Sequence, residues 1–166
     1  MLLHPTIALR SVRQIDKALL DRIGVQALLL DLDNTLTLHG EQELRPGIGE
    51  WLTAMRADGI PLILISNNSK ERIAPFANRH KLPYIPRGCK PLTFAFTRAQ
   101  KKLGFARDTI AVVGDQLFTD ILGGNLAGMR TILVQPFEKE SGTFFRMKRG
   151  LERRILGDII EKEVES

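Results

Sequence analysis

The run Ala27-Leu28-Leu29-Leu30 leads directly into Asp31-Leu32-Asp33-Asn34-Thr35, and this junction constrains the fold more tightly than any other stretch of the chain. From Val25 to Leu30 the sequence is too continuously apolar for a strand with one wet face, so it predicts a central strand covered by helices on both sides. In an open parallel sheet, ligands collect beyond the carboxyl ends of the strands. Asp31 and Asp33 therefore stand at an active-site position. Two residues apart in extended chain, they face one ligand only if a turn follows Asp31 directly, and Asn34 and Thr35 suit that turn. Carboxylates this close do not both ionise cheaply unless a cation neutralises one or a proton stays on the other.

The pattern recurs downstream. Pro61 to Ile65 is a second near-continuous apolar run ending in Ser66-Asn67-Asn68-Ser69. Leu82 to Ile85, confined by Pro83 and Pro86, delivers Arg87-Gly88-Cys89-Lys90-Pro91. Thr109 to Val113, rich in β-branched residues, ends at Gly114-Asp115-Gln116-Leu117-Phe118-Thr119-Asp120, and Met129 to Val134 makes a last strand. Helices are expected between them. One is capped by Ser11 and stopped at Gly24, with Ile15, Leu19 and Ile23 at helical spacing; a second runs from Pro46-Gly47 through Ala57. A third spans about 70–80, where Pro75 should kink or shorten it. A fourth covers Leu92 to Leu103, with Phe94, Ala95, Ala99 and Leu103 buried, and a brief one covers Ile121 to Leu126. Leu36 to Leu44 reads as a short polar loop. Alternation at these lengths implies βαβ units with right-handed crossovers, hence an α/β fold of three layers around a mainly parallel sheet, in a single domain over residues 1–166.

Composition narrows the class. With 43% apolar and 26% charged residues in 166, the chain has the balance of a soluble globular protein. A formal net charge of +5 favours anionic partners without choosing among phosphate esters, nucleic acid and anionic lipid. The single Cys89 excludes an internal disulfide, Met1 to Asp21 has no apolar core of signal-peptide length, and no apolar run suits a membrane span. The expected location is the cytoplasm.

Four strand ends thus offer Asp31 with Asp33, Ser66 with Asn67, Lys90, and Asp115 with Asp120 to one edge of the sheet. Each residue type has a task in phosphoryl transfer. Asp31 can attack phosphorus to form an acyl phosphate, and Asp33 can protonate the leaving oxygen and later deprotonate water. Mg²⁺, which takes oxygen ligands, could be held by Asp31, the main-chain carbonyl of Asp33, and Asp115. Ser66 and the amides near Asn67 would grip the phosphoryl oxygens, while Lys90 stabilises the charge of the transition state. Asp120 would hold Lys90 or a metal-bound water. Each residue alone has a simpler reading: Asp31 as a turn residue, Asp120 as the N-cap of the helix at Ile121, Ser66 and Asn67 as a helix-leading loop. Cys89 reads as a loop filler, Trp51 as a packing residue, and His4, His39 and His80 as surface residues.

DLDNT at 31–35, SNN at 66–68, CKP at 89–91 and GDQLFTD at 114–120 resemble, in order and spacing, the four motifs of the haloacid dehalogenase (HAD) superfamily of phosphatases. The resemblance runs from Ser11 to Arg154, and its later part looks like the bacterial YqeG group, itself similar to mitochondrial phosphatidylglycerophosphate phosphatases. It implies a Rossmannoid fold, a Mg²⁺ cofactor, and an enzyme hydrolysing a phosphoric monoester, with Asp31 as nucleophile, Asp33 as acid and base, Ser66 and Lys90 on the phosphate, and Asp115 and Asp120 as the acidic pair. The favoured substrate on this basis is phosphatidylglycerophosphate. A phosphoprotein or nucleotide substrate, or a binding module with a slow or vestigial site, are the alternatives.

Spacing adds a separate point. Only 32 residues lie between Asp33 and Ser66, and fewer between Ser66 and Lys90, so neither interval holds a cap domain. A site without a lid is expected to be covered by a large or membrane-borne substrate, or by a partner. The tail at 143–166 is basic and then acidic. Between residues 144 and 154 Arg146, Lys148, Arg149, Arg153 and Arg154 alternate with Phe144, Phe145, Met147 and Leu151. That stretch suits an anionic membrane surface, with its own domain or nucleic acid as other partners.

Overall fold

The computed structural model describes residues 1–137; the expectations for 144–154 and the rest of the tail fall outside them. Six strands form one sheet: β1 (Ile7–Leu9), β2 (Ala27–Leu30), β3 (Leu62–Ile65), β4 (Tyr84–Ile85), β5 (Ile110–Gly114) and β6 (Arg130–Val134). They lie in the order β1-β6-β5-β2-β3-β4, and every pairing is parallel. The α/β class is as the sequence implies.

Period-two alternation along the strands sends side chains to two separate cores. Leu28, Leu30, Leu62, Leu64, Ala111 and Val113 meet α1 (Lys17–Arg22), α2 (Ile48–Ala57) and α3 (Lys70–Arg79) on one face. Ala27, Leu29, Ile63, Ile65 and Val112 meet α4 (Phe94–Leu103) on the other, while α5 (Leu122–Leu126) leads into β6. All four residues of β2 and of β3 are buried, which is why their sequences are apolar throughout. The chain leaves β2 for β3 and β4, then returns to β5 on the opposite side of β2. The carboxyl ends of β2 and β5 therefore flank the topological switch point, where doubly wound sheets bind ligands.

Four local expectations are corrected. The segment 11–24 is two elements: Ser11 and Gln14 form a reciprocal capping box around a 3₁₀ turn at Val12–Gln14, Ile15 is extended, and Asp16 caps α1 by accepting from the Leu19 amide. The short edge strand β1 was not signalled by periodicity. Pro75 does not shorten α3, because its ring is exposed and the Glu71 carbonyl it leaves without a donor lies in the exposed first turn, open to water. On α4 the buried aromatic is Phe96, whereas Phe94 is 48% exposed. Trp51 packs as expected, and its indole Nε1 donates to the Ile15 carbonyl at 2.9 Å.

Between Asp33 and Ser66 lie α2 and a loop whose Leu36 and Thr37 are buried under the sheet edge. Between Ser66 and Lys90 lie α3 and β4. Among the described residues nothing of cap-domain size is inserted at either point.

Candidate active site

β2 ends with the Asp31 amide donating to the Val113 carbonyl of β5 at 2.9 Å, which fixes the first carboxylate beside the end of β5. The chain then turns. The amides of Thr35 and Leu36 both donate to the Leu32 carbonyl, and Asn34 takes φ of 59°, a left-handed conformation that asparagine tolerates better than most residues.

β5 delivers Asp115, which is 1% exposed, and a short π-helix at Leu117–Ile121 follows. Gly114 is required at the junction, because a Cβ there would collide with the Asp120 carboxyl group. That close approach folds Asp120 back toward the cleft, where Oδ2 accepts from the Gln116 amide at 3.2 Å. Asp120 is therefore not the N-cap of the next helix, whose cap position belongs to Ile121.

Lys90 joins these groups. Its Nζ donates to Asp31 Oδ1 at 2.8 Å and to Asp120 Oδ1 at 2.5 Å, with side-chain exposures of 4% for Lys90, 12% for Asp31 and 1% for Asp120. Its backbone is held from the neighbouring strand end. The Lys90 amide donates to Asn67 Oδ1 at 2.7 Å, and Asn67 Nδ2 donates to the Lys90 carbonyl at 3.3 Å. The amides of Arg87 and Gly88 donate to the carbonyls of Asn68 and Ser66, lacing the two loops together. The Asn67 side chain is thus engaged in positioning the Lys90 loop, whereas the expectation concerned the amides near Asn67. Ser66, 2% exposed, accepts from the Asn68 amide at 3.1 Å and lines the cleft.

Asp33 points into a different set of partners. Oδ1 accepts from the Gly40 amide and from Arg72 Nη2, both at 3.0 Å, and Oδ2 accepts from Asn68 Nδ2 at 2.7 Å. Arg72 also donates to the Glu41 carbonyl, so it ties the loop after the turn to α3. Asn68 belongs to the SNN stretch at 66–68 but was given no role of its own, and Arg72 was not picked out from sequence. Asn68 precedes Ser69, the N-cap of α3, and Arg72 lies in the first turn of that helix. His39, read as a surface residue, lines the same cleft with Gln116 and Thr119, and the cleft has a volume of about 140 Å³.

Electrostatics set the chemistry. Asp31, Asp115 and Asp120 each offer an oxygen within 4.8 Å of the others. Burial raises the pKa of Asp31 well above the ordinary carboxylate value, the negative charges of Asp120 and Asp115 raise it further, and Lys90 only partly opposes them. Burial works against the charge on Lys90, but Asp120 and Asp31 outweigh it, and its pKa is raised, so the ammonium is held charged. Among the described residues, these three carboxylates gather around the Lys90 ammonium as an all-oxygen donor set. Such a set fits a hard divalent cation such as Mg²⁺.

A parallel sheet whose switch point carries this aspartate cluster and a buried lysine defines a HAD-like hydrolase. A HAD-hydrolase-like family model matches residues 88–136. The probable phosphatase YqeG of Bacillus subtilis is 37% identical over 139 residues, covering 84% of this chain and 81% of that protein. The chain belongs to the YqeG family of HAD-superfamily phosphatases.

Phosphatidylglycerophosphate phosphatase 1 of Arabidopsis thaliana is 27% identical over 169 residues, covering 92% of this chain but 47% of that protein, so the chain spans about half of that relative. Among solved structures, a HAD family hydrolase from Deinococcus radiodurans with bound phosphate and sodium has a TM-score of 0.59 at 17% identity, covering 75% of this chain and 88% of that one. The D,D-heptose 1.7-bisphosphate phosphatase from B. bronchiseptica, complexed with magnesium and phosphate, has a TM-score of 0.56 at 16% identity, covering 68% and 82%. These two share the fold.

Proposed function

We propose that the protein hydrolyses a phosphoric monoester through an aspartyl-phosphate on Asp31, with Mg²⁺ as cofactor and a lipid phosphate of the phosphatidylglycerophosphate type as substrate. The observation that carries this reading is the Asp31 carboxylate paired at 2.8 Å with a buried, charged Lys90 at the mouth of a cleft, beside two further buried carboxylates. Asp31 attacks phosphorus while Asp33 gives a proton to the departing alcohol oxygen. Water then attacks the acyl phosphate, with Asp33 taking its proton, and inorganic phosphate leaves as Asp31 is restored. Lys90 faces the phosphoryl oxygens and offsets the charge that builds on them. Ser66 and the backbone amide of Asn67 supply neutral donors to the same oxygens, while the Asn67 side chain keeps Lys90 in place.

Asp31, Asp115 and the Asp33 carbonyl would hold Mg²⁺, with Asp120 held to Lys90. The ion would offset carboxylate charge at the site and so permit an anion to approach an anion. The lipid assignment is supported by the plant relative and by an uncapped cleft that a bulky substrate would itself cover. Among the described residues no helix is long and apolar enough to cross a membrane, so such a substrate would be met from the surface.

A panel of phosphate esters, including phosphatidylglycerophosphate in mixed micelles, tests the reading beside Asp31→Asn. Loss of turnover in the variant and preference for the lipid are expected. Equal turnover by both proteins would remove Asp31 as nucleophile, and turnover of protein or nucleotide phosphates without lipid would remove the substrate.

A further inference from the structure

From Arg87 to Arg107 the chain contains six Lys or Arg residues and no Asp or Glu. Lys90 is buried in the site; Arg87, Arg98, Lys101, Lys102 and Arg107 are exposed. Within the same stretch lie two of the five large hydrophobic side chains exposed among the described residues, Leu92 at 61% and Phe94 at 48%. They follow Lys90 by two and four residues, so chain length alone keeps their Cα atoms within about 7 and 14 Å of it. The Leu92 amide donates to the Cys89 carbonyl at 2.9 Å, which closes a turn around Lys90 and keeps Leu92 close to it in the chain.

The helix geometry explains why these residues stay outside. α4 gives Ala95, Phe96 and Ala99 to the core, and Phe96 fills the place against the sheet that a second aromatic would need. Phe94, Arg98, Lys101 and Lys102 stand at i, i+4, i+7 and i+8, so they share the opposite face. Running antiparallel to the strands, α4 begins at the site edge and rises away from it. At 1.5 Å per residue, Arg98 is about 6 Å beyond Phe94 along the axis, and Lys101 and Lys102 are about 10–12 Å beyond.

We propose that Leu92, Phe94 and the cationic face of α4 form a docking surface for an anionic phospholipid bilayer. Leu92 and Phe94 enter the interface at the rim of the site, and Arg98 stands at headgroup level. Lys101 and Lys102 are close to one Debye length, about 8–10 Å, from the charged plane and draw the protein onto it. The bilayer then does what a cap domain would do, closing an uncapped cleft over a phosphate that already sits in the membrane. This proposal rests on the lipid-phosphate reading of the site for its purpose but not for its test.

The full chain is co-sedimented with vesicles of equimolar phosphatidylglycerol and phosphatidylcholine, and with vesicles of phosphatidylcholine alone. Leu92→Ser/Phe94→Ser and Arg98→Glu/Lys101→Glu/Lys102→Glu are compared with wild type. Preference for the anionic vesicles is expected, with partitioning reduced about tenfold or more by either variant and weakened by salt. Both variants should hydrolyse p-nitrophenyl phosphate like wild type, which shows that they fold, and should lose turnover of phosphatidylglycerophosphate in vesicles but not in detergent micelles. Vesicle binding unchanged by both variants, absent in wild type, or replaced by binding of RNA through the same lysines would overturn the docking surface. Failure of wild type to hydrolyse the lipid in micelles would instead remove the substrate assignment, since vesicle partitioning is read without turnover.

Discussion

Replacing Gly114 with Ala is the most direct test of how the fold builds the site. The added methyl would sit 2.7 Å from Asp120 Cβ and closer still to its carboxyl group, distances that side chains do not sustain. Asp120 must move, and its carboxylate is the 2.5 Å partner of Lys90, in a pair exposed by only 4% and 1%. Overpacking of this kind costs about 1–3 kcal/mol, and breaking a buried pair outright costs about 3–5 kcal/mol. Lys90 keeps Asp31 at 2.8 Å, so the second term is only partly incurred. A net loss of about 2–4 kcal/mol is expected, or a fall in Tm of roughly 5–15 °C for a chain of this size. Misplacing the lysine by an ångström should lower kcat by about a hundredfold. Thermal unfolding by circular dichroism and steady-state hydrolysis of a soluble ester measure both effects. The double variant Gly114→Ala/Asp120→Ala isolates the cause: with the carboxyl gone, the glycine substitution should cost about 1 kcal/mol less than it does alone. A Gly114→Ala protein with wild-type Tm and kcat would refute the close approach, and a cost that is the same in both backgrounds would refute the part assigned to the carboxyl group.

Three further outcomes follow from the site. Asp31→Asn should abolish hydrolysis and yet stabilise the metal-free protein near pH 8. The folded pKa of Asp31 is raised above its unfolded value, so its contribution is present at low pH and is lost as pH rises from about 4 through the folded pKa; urea unfolding with EDTA should show that decline in wild type, reduced by added Mg²⁺ and missing from the variant. Asn67→Ala should lower kcat by about tenfold with little change in KM, because it loosens the Lys90 peptide; a rise in KM at constant kcat would instead put the side chain on the substrate. Trp51→Phe leaves the buried Ile15 carbonyl without its donor and should cost about 1–3 kcal/mol by chemical denaturation, at unchanged activity.

What could be read in advance follows a physical division. The central strands were legible because each is buried on both faces, which forces an apolar run and places the next polar residue at the sheet edge. β1 has three residues and a partner, β6, that begins more than a hundred positions later, so neither length nor local pattern marks it. The break at Ile15 hid behind an apolar spacing compatible with one helix, although Ser11 with Gln14 and Asp16 with Leu19 were two separate capping signals. Phe94 and Phe96 are two residues apart on a helix, about 200° around its axis, and periodicity alone does not say which of them meets the sheet. The partners of Asp33 were beyond reach for a different reason. Arg72 and Asn68 come to it from another strand end, and a hydrogen-bond network across elements leaves no periodic trace.

The two carboxylates that open the site do not share one environment, and this is what separates their chemistry. Among the described residues Asp31 lies beside the carboxylates of Asp115 and Asp120 and the Lys90 ammonium, and burial together with those carboxylates disfavours its ionised form. Asp33, in the same cleft, is held by three donors, one of them a guanidinium. A nucleophile must be an anion at the moment of attack, and a proton carrier must be able to change partners. In the proposed mechanism the disfavoured ionisation of Asp31 would tie its readiness to attack to a bound cation, while the contacts of Asp33 with Arg72 and Asn68 would tie its proton transfers to the loop at 38–44 and to α3. Both controls lie in the sheet-edge loops, on the face that the uncapped cleft turns toward its substrate.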